Sequence, residues 1–307
     1  MELTGDLLED SADGHPAVPR GVVDDHEHVH VRVLRALLAT CPRAEQPDRV
    51  EPLAQARAEL LGVPLDERAL LIRERRFLEP WHEAIVERYR PGVARGSLIT
   101  IEGIDGAGKS TLARALAGEL AARGLPVELL REPGGVEVSE RIRSLVKDAS
   151  LAVSPRAEAL LYAAARAQLV DERVLPLLDE GAIVLLDRFV DSSLAYQGAA
   201  RGLGVEEVRA INLFATGGLQ ADRTLLLRIS PSQAHARQHE RAALPDRLEL
   251  EGEGFFTAIS EAYDELARAE PERIRAIDAA SSPERVLAEA LSSIEDVLAA
   301  TGAELRA

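Results

Sequence analysis

The chain has 307 residues, which exceeds one typical domain and suggests a core domain of about 200 residues plus something smaller. With 46% hydrophobic and 29% charged residues and no apolar run near the ~18 needed to cross a bilayer, the composition excludes a membrane-spanning protein, and the acidic start Met1–Gly14 does not read as a secretory leader. A formal net charge of −16 argues against a nucleic-acid partner, and the lone Cys41 allows no internal disulfide and fits a reducing cytoplasm.

The polar stretch to about Gly14 reads as a mobile tail, and order is expected from near Val29. From there to Tyr89 the periodicity is helical. Val31, Leu34, Leu37 and Leu38 form one stripe, and Val50, Leu53, Leu60 and Leu61 another. A third helix is predicted after Asp66, a capping residue, and a fourth from Pro80, with Trp81, Ile85 and Tyr89 on one face. These are packing stripes. The run Asp24–Val31, with His26, His28 and His30, has no second cluster to complete a metal site and reads as a solvated helix start. Arg73, Arg75 and Arg76, interleaved with Glu74, read as an exposed helix face, and Cys41 as an incidental thiol. Pro and Gly in "RPGVARGS", Arg90–Ser97, mark a linker, so domains are placed at 1–95 and 96–307.

Beyond the linker, short apolar runs alternate with helical segments. Strands are predicted at Leu98–Ile101, Val127–Leu130, Ile183–Leu186, Thr224–Ile229 and Ile274–Ile277. Such alternation specifies an α/β fold: a parallel sheet with helices on both faces, here preceded by a small, mainly α-helical domain. Leu112, Leu116 and Leu120 give the first of these helices its buried stripe, and Gly124 is placed to end it.

The segment "GIDGAGKS", Gly103–Ser110, matches GxxxxGK[ST] between a strand and a helix, the context a P-loop requires. Gly103, Gly106, Ala107 and Gly108 let the backbone curl so that its N–H groups, and those at the helix start through Thr111, face phosphate oxygens. Lys109 is one of only two lysines in the chain, the other being Lys147. Its compact charge on a flexible stem can follow the β- and γ-phosphates of a nucleoside triphosphate, and the Ser110 hydroxyl suits Mg²⁺. Asp105 lies inside the loop, where a carboxylate facing polyphosphate would be repelled, so it should face another group, such as a sugar hydroxyl. "LLDRF" ends a strand with Asp187, able to hold Mg²⁺ or its water, and Arg188, able to bind a second phosphorylated substrate.

Together with "REPGG" (Arg131–Gly135), "RIRSLV" (Arg141–Val146), "YAAARAQLV" (Tyr162–Val170), "DRFVDSSLAYQGAARG" (Asp187–Gly202) and "DRLE" (Asp246–Glu249), the P-loop segment resembles the thymidylate kinase family in order and spacing, over roughly 97–300. The resemblance implies transfer of the γ-phosphoryl of ATP to dTMP with Mg²⁺, and a homodimer. Carried over position by position, it implies that Asp105 binds the sugar 3′-hydroxyl, Tyr162 stacks on thymine and Arg166 hydrogen-bonds the base. Arg143 and Arg188 would hold the acceptor phosphate, Ser193 would lie near the base, Tyr196 near the sugar carbon that a 2′-hydroxyl would occupy, and Gln197 beside the same pocket. Some members carry a P-loop arginine where this chain has Gly106, so charge at the transition state is expected from the lid arginines Arg237, Arg241 and Arg247, with no choice among them. Arg228 departs from the family's usual acid, and Gln238, His239 and Glu240 dilute the lid's basic character. Two other readings stay open: a kinase of a different or modified deoxynucleoside monophosphate, and a nucleotide-sensing or assembly module whose N-terminal region contacts a partner.

Overall fold

In a computed structural model of the chain, the described residues are 95–239, 247–248 and 250–300. The helical domain expected over 1–95, with its stripes, histidine run and Cys41, lies outside them but for Arg95, as does Arg241.

Among the described residues five strands form where short β-favouring runs were expected, each bound within about a residue: β1 Leu98–Glu102, β2 Val127–Arg131, β3 Ile183–Asp187, β4 Arg223–Arg228 and β5 Ile274–Asp278. They make one parallel sheet in the order β2-β3-β1-β4-β5. Successive side chains on a strand face opposite layers. On β3, Ile183 and Leu185 join one buried cluster, while Val184 and Leu186 join the other. That two-sided burial is why the central strands β1, β3 and β4 read as apolar runs, while the edge strands β2 and β5 admit Glu128 and Arg275. The register sets Ile101 beside Asp187 and Glu102 beside Leu226, so the loops leaving β1, β3 and β4 emerge together.

Helix α1, Lys109–Ala122, buries Leu112, Leu116 and Leu120 against the sheet. Each such leucine contributes about 2 kcal/mol of apolar burial. Gly124 ends α1 at φ 78°; its N–H donates to the Ala121 carbonyl and that of Leu125 to Leu120, the paired bonds of a Schellman motif. The remaining helices are α2 Glu137–Lys147, α3 Pro155–Leu169, α4 Leu175–Asp179, α5 Val190–Ser193, α6 Val205–Ala215, α7 Pro231–His239, α8 Glu253–Ala269, α9 Pro283–Ser292 and α10 Glu295–Ala300. Ser154 caps α3, accepting from the Ala157 N–H at 3.4 Å, with Pro155 in the first turn.

Two wider π-helical turns escape the periodicity argument, Val170–Val174 and Leu194–Ala200. The first precedes Pro176, which has no N–H to offer the helix and whose ring crowds the preceding turn. The second carries Tyr196 and Gln197 and buries both.

Candidate active site

The P-loop leaves β1 at Glu102 and enters α1 at Lys109. Gly106 has φ 90°, and a Cβ there would come within 2.4 Å of the Ala234 carbonyl oxygen of α7. A side chain at this point would therefore be strained in the backbone and would meet that neighbour in this chain. Lys109 is 7% exposed, and its Nζ donates to the carbonyls of Gly103 at 3.0 Å and Ile104 at 2.9 Å, with Asp105 Oδ1 at 3.6 Å. Burial lowers its pKa to about 8, and Arg188 adds to the effect against the opposing charges of Asp105, Asp187 and Glu102. The amine is thus folded onto loop carbonyls in an environment short of negative charge, which a phosphate would supply.

Ser110 Oγ donates to Asp187 Oδ2 at 2.6 Å, joining the hydroxyl that opens α1 to the carboxylate that ends β3. The next residue, Arg188, has φ 74°, the only positive value outside glycine among the described residues. Such a conformation costs about 1–3 kcal/mol and persists where the surroundings hold it. Here they do: Arg188 donates to the Gly103 carbonyl at 3.2 Å, Ser192 Oγ at 2.9 Å and Tyr196 Oη at 3.1 Å, and forms an ion pair with Asp105. Tyr196 also donates to Asp105 Oδ2 at 2.9 Å, and the guanidinium lies 4.9 Å from its ring centroid. Burial acts to raise the Asp105 pKa, but the Arg188 and Lys109 charges and the hydrogen bonds outweigh it and hold the carboxyl far below its usual range. Asp105 is therefore held between Arg188 and Tyr196 on one side and the Lys109 amine on the other.

These groups form one wall of a cleft of about 240 Å³. Arg143, Tyr162, Arg166, Ser193 and Gln197 line the rest, so every residue expected to hold an acceptor nucleotide reaches the same space. Lys147 lines it too, which brings both of the chain's lysines to one cleft. Arg143 donates to the Pro133 carbonyl at 2.8 Å. Arg166, 2% exposed, donates through Nε to Glu132 Oε2 at 2.7 Å, through Nη1 to Ser193 Oγ at 2.9 Å and to Asn212 Oδ1, and through Nη2 to the Phe189 carbonyl at 2.9 Å. Burial raises the pKa of Glu132 to about 7, against the lowering effect of Arg166.

The lid arginines separate. Arg237 on α7 donates to the Ala279 carbonyl at 2.9 Å. Arg247 donates to the Val146 carbonyl at 3.0 Å and to Glu158 Oε2 at 2.6 Å, which ties the lid's end to α2 and α3. Neither is among the residues lining the cleft, nor are Gly103, Ala107 and Thr111. Glu158, fully buried, also accepts from Gln197 at 2.8 Å and from Arg201 at 3.2 Å. Arg228 lies at the exposed end of β4, paired with Asp264 at 2.7 Å.

Sequence reasoning missed the buried acids that hold these groups. Glu102 accepts from the Phe189 N–H at 2.7 Å, Ser192 Oγ at 2.6 Å and Tyr263 Oη at 2.8 Å, and so braces the turn after β3. Burial pushes its pKa up, helped by the Asp191 charge. Glu102 and Glu132 stand inside recognised motifs, and that position was the available signal.

The sequence profile of the family described as Thymidylate kinase matches residues 101–290. The chain belongs to the thymidylate kinase family. A thymidylate kinase from Thermoanaerobacter sp. (strain X514) is 47% identical over 184 residues, covering 60% of this chain and 90% of the relative. One from Bacillus licheniformis is 46% identical over 205 residues, covering 66% of this chain and 97% of the relative. Among solved structures, thymidylate kinase from Ehrlichia chaffeensis superposes with a TM-score of 0.54 at 26% identity, over 65% of this chain and 98% of that one. The family match thus spans the P-loop and the residues lining the cleft, while the residues before 101 fall outside it.

Proposed function

We propose that the chain transfers the γ-phosphoryl group of ATP to dTMP, giving ADP and dTDP. The observation that carries this reading is a single cleft in which the P-loop amine, Asp105, Arg188, Tyr162 and Arg166 all meet, in a chain of the thymidylate kinase family. Lys109 would leave the Gly103 and Ile104 carbonyls for the β- and γ-phosphates, where its charge is no longer opposed by burial alone. Arg188 and Arg143 would orient the acceptor phosphate, and Asp105 with Tyr196 would bind the sugar. The acceptor is already an anionic phosphate oxygen, so no strong general base is required. Tyr162 and Arg166, four apart on α3, would stack on and hydrogen-bond the pyrimidine.

The Ser110 hydroxyl and Asp187 carboxylate are hard oxygen donors 2.6 Å apart, a set that fits Mg²⁺, directly or through its waters. When bound there, Mg²⁺ would neutralise charge on the β- and γ-phosphates. The lid residues proposed for the leaving charge are Arg237, Arg241 and Arg247, of which Arg237 would reach it only on release from the Ala279 carbonyl. Arg247 reaches it only on release from Glu158.

Among the described residues no helix is long and apolar enough to cross a membrane. We assign the chain to the cytoplasm on its single cysteine and nucleotide substrates, with residues 1–95 a separate helical domain available to a further partner. Exposed Leu145, Leu160 and Leu213 lie on the packed helices α2, α3 and α6, a face suited to a homodimer. A coupled ADP-release assay across a panel of nucleoside monophosphates tests the activity. Turnover greatest with dTMP is expected; turnover with another nucleotide and not dTMP, or tight binding without turnover, would refute it.

A further inference from the structure

Arg166 is the bulkiest of the fully buried side chains among the described residues, yet it lines the cleft. A guanidinium has five N–H donors in a fixed plane. The bond to Glu132 takes Nε–H, Ser193 and Asn212 take both hydrogens of Nη1, and the Phe189 carbonyl takes one of Nη2. One N–H on Nη2 remains. Its position is not adjustable, because the partners are themselves held. Asn212, 1% exposed, donates Nδ2–H to the Val208 carbonyl at 2.8 Å, which turns its oxygen toward Arg166. Glu132, 5% exposed, uses Oε2 for Arg166, while Oε1 is buried and accepts nothing. An unsatisfied buried oxygen is costly, so the Oε2 bond to Arg166 is what holds the Glu132 side chain in this place. The Phe189 ring lies 5.5 Å from the guanidinium carbon and closes one side.

We propose that Glu132 and Asn212 are positioning residues that make this cleft select an oxo-pyrimidine over an amino-pyrimidine: by occupying the other donors of Arg166 they present one immobile N–H, which a ring carbonyl can accept and an exocyclic amino group cannot. This rests on the reading that a pyrimidine nucleotide occupies the cleft. Sites that present a buried donor to a substrate acceptor reject the analogue lacking it far more strongly than sites that discriminate by shape.

The test measures kcat and KM for dTMP and dCMP with the full chain, its Glu132→Ala, Glu132→Gln and Asn212→Ala variants, and circular dichroism on each. The unaltered chain is expected to favour dTMP by at least about 100-fold in kcat/KM. In Glu132→Ala and Asn212→Ala that ratio should fall at least about tenfold, mainly through a raised KM for dTMP, with kcat for dTMP changed less than about threefold. Glu132→Gln keeps an acceptor oxygen for Nε–H and should retain most of the ratio. Equal losses on both nucleotides, or a ratio within about twofold of the parent in the folded variants, would overturn the positioning role while leaving the kinase reading intact. If Glu132→Ala does not fold, the smaller deletion Asn212→Ala decides. Absence of dTMP turnover by the unaltered chain would overturn the kinase reading itself.

Discussion

Replacing Lys109 by methionine separates what the P-loop amine does for the chemistry from what it does to the fold. The fall of the Lys109 pKa from its ordinary 10.5 to about 8 corresponds to about 3 kcal/mol by which the site disfavours the charged form. Two hydrogen bonds, to the Gly103 and Ile104 carbonyls, offset part of this at about 1–2 kcal/mol each. Near pH 7 Lys109→Met should therefore change stability little. The folded pKa lies below the unfolded one, so between pH 8 and 10.5 the unfolded chain binds more protons and the parent gains stability as pH rises. The variant has no such gain. Urea unfolding of both proteins from pH 7 to 10.5 should show the difference moving by about 3 kcal/mol in favour of the parent. In the same variant, kcat with ATP and dTMP should fall at least about 100-fold. A stability difference flat with pH would refute the claim that the amine is held short of compensating negative charge.

Glu132→Gln tests the second perturbed group. Its folded pKa of about 7 lies above the ordinary 4.5, so the parent loses stability as pH rises from 4.5 to 7, and the variant should gain on it by up to about 3 kcal/mol across that window in urea unfolding. Glu158→Ala strands Arg247, 12% exposed, and leaves Arg201, 14% exposed, to Glu251 alone; it should cost about 3–5 kcal/mol, lowering Tm by about 10 °C in calorimetry. Gly106→Ala forces a methyl group to within 2.4 Å of the Ala234 oxygen at φ 90°. It should destabilise the protein by about 1–3 kcal/mol and raise KM for ATP at least tenfold in steady-state assays.

The three central strands were legible because both their faces are covered, which turns β1, β3 and β4 into short apolar runs; the edge strands β2 and β5, half exposed and carrying Glu128 and Arg275, were located by their place in the strand–helix alternation. The P-loop was legible because its chemistry is local, with glycines, amine and hydroxyl inside eight residues that a strand and a helix must flank. The π-helical turn at Leu194–Ala200 was not, since its apolar residues suit a narrower helix equally well. Burial of charge was the other blind spot. Arg247 reads in sequence as a basic lid residue, but its partner Glu158 lies 89 positions away and belongs to another element. Arg166 likewise reads as a cleft arginine, and only the fold shows that four of its N–H groups are already taken.

The account turns on where the γ-phosphoryl group goes. Incubating the chain with ATP labelled at the γ-phosphate, unlabelled dTMP and Mg²⁺, and resolving the products by chromatography, measures that fate directly. Label should appear in dTDP in step with ADP formation. Label released as inorganic phosphate, or retained in ATP while dTMP is bound, would contradict a cleft built to join the two nucleotides.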